Sequence, residues 1–104
     1  MHRQTLCAAI ANRQVVELRY DKDVRFRTFN PHIIWTADDG NIVMDGLQVS
    51  NPAKPLEKNR WRRFSLSEVK AVTVLTEKFR VEPKFYPLDP VYFGKVICVA
   101  PPNL

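Results

Sequence analysis

The chain is short of glycine, with three among 104 residues, and of histidine, with two. Gly40, Gly46 and Gly94 are scattered, so no glycine-rich loop exists to cradle a phosphate. His2 is terminal, and His32 has no Ser, Cys or Asp around it in a local catalytic arrangement. On these grounds the chain reads as a non-enzyme. Apolar runs are short, Val96-Ile97-Cys98-Val99-Ala100 being typical, whereas a bilayer span needs about 20 residues. No membrane partner is expected. The opening segment has no secretory apolar run, so the expected address is cytoplasmic. Only two cysteines occur, Cys7 and Cys98, at opposite ends of the chain. Neither has metal-ligand spacing, and both read as reduced, buried apolar residues. No metal and no cofactor is expected.

What the sequence does have is β pattern and positive charge. Only one segment reads as helix, from Thr5 to Asn12, with Leu6, Ala9 and Ile10 at helical spacing. Thr5 is its candidate cap, and Asn12 its candidate left-handed terminator. Val16, Leu18 and Tyr20 then alternate with Glu17 and Arg19, as in a half-buried strand. A second strand runs from Arg25 to Asn30. Pro31, which has no N–H to donate, interrupts or bends it before His32 to Thr36. Ala37-Asp38-Asp39-Gly40 is a hairpin turn, and Asn41 to Val49 is the return strand. Residues 50–59 read as an exposed loop. Arg60 to Leu66 and Val69 to Thr76 are further strands, and Val96 to Ala100 is the last. The expected fold is mostly β: a small, strongly bent Sm-like or SH3-like sheet or barrel with one N-terminal helix. Residues 1–80 form the body. Residues 81–104 form a Pro- and aromatic-rich arm ending in a strand, either folded back or exchanged across a dimer.

The order of residues resembles the WYL domain family. Ala9-Ile10-Ala11-Asn12-Arg13 followed by Val16-Glu17-Leu18-Arg19-Tyr20 is similar to the family's opening helix, turn and strand. Arg27-Thr28-Phe29-Asn30-Pro31-His32 resembles its Arg-x-x-x-Pro element. Arg62-Arg63-Phe64-Ser65-Leu66-Ser67-Glu68-Val69 resembles its Arg-x-Phe-x-Leu-x-x-Ile element. Ile42-Val43-Met44 replaces the triplet that names the family, and the chain is more similar to small free-standing WYL-like proteins of bacteria. Gln48 and the pair Trp61-Arg62 add to that likeness. The resemblance implies a non-enzymatic regulatory module in transcription or phage defence, sensing a nucleotide or binding nucleic acid. The family's usual winged-helix companion has no room in 104 residues. The partners implied are a nucleotide or nucleic acid, a second copy as homodimer, or a larger protein.

Sixteen Lys and Arg against eleven Asp and Glu give +5, and nine of the sixteen are Arg, a balance that suits a polyanion. Arg25 and Arg27 share one face of their strand, and Arg presents a planar fork to phosphate oxygens. The alternative for Arg27 is pairing with Glu17, Asp23 or Asp45. Arg60 and Arg62 share one face of their strand, and Trp61 and Arg63 the other. The strand is either a stacking and phosphate-binding surface or a charged edge that blocks aggregation. His32 either donates to a phosphate or, in the preferred reading, bonds backbone. Gln48 either reads a base edge or satisfies buried backbone. Asp45 is expected to pair with an Arg across the sheet. Phe79, Phe85, Tyr86, Tyr92 and Phe93 are expected to pack against the barrel or a neighbouring subunit rather than stack bases. The candidate ligand-binding set is therefore Arg25, Arg27, His32, Gln48, Arg60, Trp61, Arg62 and Arg63. The competing reading is a dimerisation or docking subunit that uses the arm.

Overall fold

The computed structural model describes residues 2–103. Helix α1 spans Arg3–Ala11 and buries Leu6, Ala9 and Ile10, the expected apolar stripe. It starts three residues earlier than a cap at Thr5 predicts, so Thr5 lies inside it. Asn12 is not left-handed (φ −93°); Arg13 takes that conformation (φ 52°) and reverses the chain into the sheet. Six strands follow: β1 (Gln14–Tyr20), β2 (Arg27–Thr36), β3 (Ile42–Ser50), β4 (Arg60–Ser65), β5 (Val69–Lys78) and β6 (Val96–Val99). All pairings are antiparallel.

The sheet order is β4-β3-β2-β1-β5. Of the two forms expected, bent sheet or closed barrel, the molecule takes the open, strongly bent sheet. A 3-10 turn at Leu66–Glu68 carries the chain from one end of the sheet, β4, to the other, β5. β3 pairs along nearly all of β2. On the other edge, β1 covers Arg27 to Phe29 and β6 covers Ile33 to Trp35. The arm thus returns to its own sheet.

β2 does not break at Pro31. Pro31 pairs with Gly46 and Ile33 with Asp45, which leaves His32 as an extra residue, a β-bulge. The bulge changes the parity of the strand. Phe29 and Ile34 join Leu6, Ile10, Met44 and Phe64 in the core beneath α1. Ile33 and Trp35 face the other way, with Val43, Tyr92 and Phe85. Both faces of the sheet are therefore buried in part, one by the helix and one by the arm. Gly46 is required where the strands approach: a Cβ there would lie 2.3 Å from the Asn30 carbonyl oxygen and 2.6 Å from Phe29 Cζ.

The expectation of reduced cysteines is overturned. Cys7 on α1 and Cys98 on β6 form a disulfide, with Cα atoms 5.8 Å apart. Both elements cover the same core, and the long sequence separation conceals their proximity. With the thiols bonded, cysteine chemistry gives the cytoplasmic address no support, since cytosolic thiols normally stay reduced. Among the described residues no helix is long and apolar enough to cross a membrane.

Candidate ligand-binding face

The eight predicted residues divide into two groups on opposite faces of the sheet. Arg27, Gln48, Arg60 and Arg62 gather at the end where β2 and β4 start and β3 finishes. Gln48 and Arg60 are register partners, and Thr28 pairs with Ser50. Arg25 belongs to the same end but not to a strand. It sits in the exposed β1–β2 loop, so the expectation that Arg25 and Arg27 share a strand face is corrected. Its acidic flank Asp21-Lys22-Asp23 and the tight bend before β2 keep residues 21–26 out of the ladder. His32, Trp61 and Arg63 lie on the other face, beneath the arm.

At the first end a chain of polar contacts runs between two loops. Asp23 accepts from Arg27 Nε at 2.7 Å and from its Nη2 at 2.8 Å. Arg27 Nη1 donates to Gln48 Oε1 at 3.1 Å, and Gln48 Nε2 donates to the Glu57 carbonyl at 2.8 Å. Glu57 in turn accepts from Arg62 Nη1 at 3.1 Å. The Phe64 ring is the floor, with the Arg27 guanidinium carbon 5.4 Å and that of Arg62 5.7 Å from its centroid. The hydrogen bond from Arg27 holds the Asp23 carboxyl below its ordinary range, with a smaller opposing push from burial. Arg27 and Gln48 thus have partners already: the pairing expected as the alternative for Arg27 is present through Asp23, and Gln48 satisfies buried backbone.

Around this rigid network the exposed charge is positive. Segments 21–27 and 51–62 carry seven Lys and Arg against three Asp and Glu, a net +4 of the chain's +5. Arg25, Lys58 and Arg60 are exposed, and among the described residues none of them has an ion-pair partner. Sequence reasoning missed Glu57 as a site residue. Its signal was present, as the lone acid inside the basic run from Lys54 to Arg63.

On the opposite face Arg63 reaches Asp45, with Nε 2.8 Å and Nη2 3.1 Å from its two oxygens, and its guanidinium carbon lies 4.8 Å from the Trp35 ring centroid. Asp45 is the acid that pairs an Arg across the sheet, as expected. It also accepts from the Tyr92 hydroxyl at 3.0 Å. Burial, then the neighbouring carboxylate, raise the Tyr92 hydroxyl well above its ordinary range, and the hydrogen bond to Asp45 raises the Arg63 guanidinium. His32 is fully buried. Its Nδ1 lies 2.8 Å from the Asn30 carbonyl, and the Glu82 N–H donates to its Nε2 at 2.9 Å. A carbonyl only accepts, so the proton sits on Nδ1 and the ring is neutral. Burial lowers its pKa below the ordinary imidazole value. This is the backbone-bonded reading, and no polar atom of the ring is left for a phosphate.

No family model matches the chain, and no curated protein does. Among solved structures the fold is similar to Proteasome accessory factor B/C of Arthrobacter aurescens. The TM-score is 0.63 at 19% identity, over 81% of this chain and 13% of that chain. At this identity the likeness shows a shared fold and nothing more. The chain spans about an eighth of that protein, so only one segment of it is compared.

Proposed function

We propose that this chain is a non-enzymatic regulatory module that binds a nucleotide or single-stranded nucleic acid at its basic end, in transcription regulation or phage defence. The observation that carries this reading is the concentration of +4 on segments 21–27 and 51–62, two loops and the strand starts beside them, braced by the Asp23-Arg27-Gln48-Glu57-Arg62 network. Arg25, Lys58 and Arg60 supply exposed forks and ammonium groups for phosphate oxygens. Gln48 and Arg27 act as supports that hold the loops open. The fold shared with an accessory factor accords with a regulatory role.

The test is fluorescence anisotropy of short labelled RNA and DNA with the full chain, at low and moderate salt. Micromolar binding is expected, weakened by salt and by Arg25→Glu or Arg60→Glu, and unchanged by Arg63→Ala on the opposite face. No binding at low salt, where screening is least, overturns the proposal.

A docking subunit is the second reading. It is favoured by the exposed Tyr86, Leu88, Val91 and Phe93 along the arm. Light scattering coupled to size exclusion decides whether that surface joins two copies: a dimer disrupted by Leu88→Asp and Phe93→Asp supports this reading, and a monomer at high concentration opposes self-association.

A further inference from the structure

The face beneath the arm holds a second concavity, separate from the basic end. A cleft of about 440 Å³ opens between β4 and residues 82–92, a size that suits a small ligand or a single side chain. Four aromatic residues line it. Trp61 and Phe85 stack at 5.6 Å with 30° between their planes, Tyr92 lies 6.1 Å from Phe85, and Tyr86 completes the wall. Trp61 and Tyr86 are 41% and 59% exposed, so their rings are free to meet a ligand.

The charge of this cleft is opposite to that of the molecule. Glu82 and Asp89 line it against a single cation, Lys84, in a chain of net +5. Among the described residues neither carboxylate has an ion-pair partner. The walls are fixed before any ligand arrives. The Tyr92 hydroxyl is anchored on Asp45, the Glu82 N–H on His32, and Asp89 Oδ1 accepts from the Val91 N–H, which leaves its second oxygen free. Such preorganisation reduces the ordering cost of binding. Negative ring faces and two carboxylates repel a phosphate and attract a positive group. A bare metal ion is a poor fit: no group of three His, Cys, Asp or Glu among the described residues is arranged to hold one.

We propose that the cleft between β4 and the arm binds an alkylated ammonium group, with Trp61 and Phe85 offering the aromatic contact and Glu82 and Asp89 the counter-charge. The same chemistry is found in a free quaternary ammonium compound and in a methylated lysine of another protein. A site of this kind would give the module a cationic input at one face and an anionic one at the other.

Titration calorimetry of the full chain tests this with choline, with its uncharged carbon isostere dimethylbutanol, and with a peptide carrying one trimethyllysine beside its unmethylated form. Saturable binding of choline or of the methylated peptide is expected, and which of the two binds more tightly identifies the source. The isostere should bind about tenfold more weakly, since it keeps the shape and loses the charge. Trp61→Leu should weaken binding about tenfold, and Glu82→Gln severalfold without touching the aromatic wall. Circular dichroism establishes that both variants are folded. Equal binding of choline and isostere, absence of saturation with both choline and the methylated peptide, or indifference to Glu82→Gln overturns the proposal.

Discussion

Asp45 has a side chain that is 1% exposed, in the middle of a sheet, and Arg63 and Tyr92 surround its two oxygens with donors. The Arg63 bonds join β4 to β3 and the Tyr92 hydroxyl joins the same carboxylate to the arm, so the group fastens residues 90–92 to the sheet. Asp45→Asn removes the charge and leaves Arg63 without its partner. A loss of about 2–4 kcal/mol in urea unfolding is expected, with the arm becoming susceptible to proteolysis. His32 gives a pH signature. Burial depresses its folded pKa below the unfolded value of about 6.5, so the unfolded chain takes up the proton first. Its contribution is fully present above pH of about 6.5 and is lost as pH falls toward the folded value. Protonation also removes the acceptor that holds the Glu82 N–H. Stability should fall by up to about 1.4 kcal/mol per pH unit in that window, and a His32→Asn variant should flatten the slope. The partners of both residues were legible as types, an Arg for Asp45 and backbone for His32. The arm's share, through Tyr92 and Glu82, was not, because no local pattern records which distant segment folds over a strand.

The elements follow their sequence patterns closely where the pattern is local. β1, β3 and β4 appear within two residues of their expected bounds, β1 from its alternation and β3 from the hairpin turn before it. β2 departs from its pattern. Pro31 reads as an interruption or a bend, and the strand absorbs it by bulging at His32. The close approach at Gly46 belongs to the same feature. Gly46→Ala is expected to destabilise by about 3 kcal/mol, because its Cβ would strike backbone, which cannot rotate away. Differential scanning calorimetry would read this as a lowered Tm. The disulfide joins α1 to β6 across a separation of 91 residues, so its loss frees a long loop in the unfolded chain. Reduction, or Cys98→Ser, should cost about 4 kcal/mol, seen as a shifted urea midpoint. A non-reducing mass measurement two daltons below the reduced chain, on the order expected for loss of two hydrogens, would establish the bond itself.

On the scale of the whole molecule, charge is segregated. The loop end carries +4, and the arm cleft on the opposite face carries more acid than base. A polyanion approaching this field should be oriented onto the loop end before contact. For single-stranded nucleic acid, three or four neutralised phosphates predict a slope of about −2 to −3 in log K against log salt. Arg25→Glu and Arg60→Glu together should flatten it, as measured by anisotropy across a salt series. A slope near zero would mean that the net charge serves solubility and not recognition. Five of the eight candidate residues lie at this end and three do not, a division that strand alternation alone could only half supply. Alternation separates Arg62 from Trp61 and Arg63, but Arg27 and Gln48 reach the same network from other strands.

The sequence by itself determined the class of the fold, the helix and most strand positions, the split of Arg62 from Trp61 and Arg63, and the excess of positive charge. Each of these is encoded within a few residues, by spacing, propensity or composition. The tertiary structure alone decided the bulge at His32, the Cys7–Cys98 bond, the tie between Arg27 and Gln48, and the covering of one sheet face by the arm. These depend on which distant segments meet. Their contacts join different elements of the chain, and the gain from each emerges only when the core beneath α1 and the layer beneath the arm have formed together.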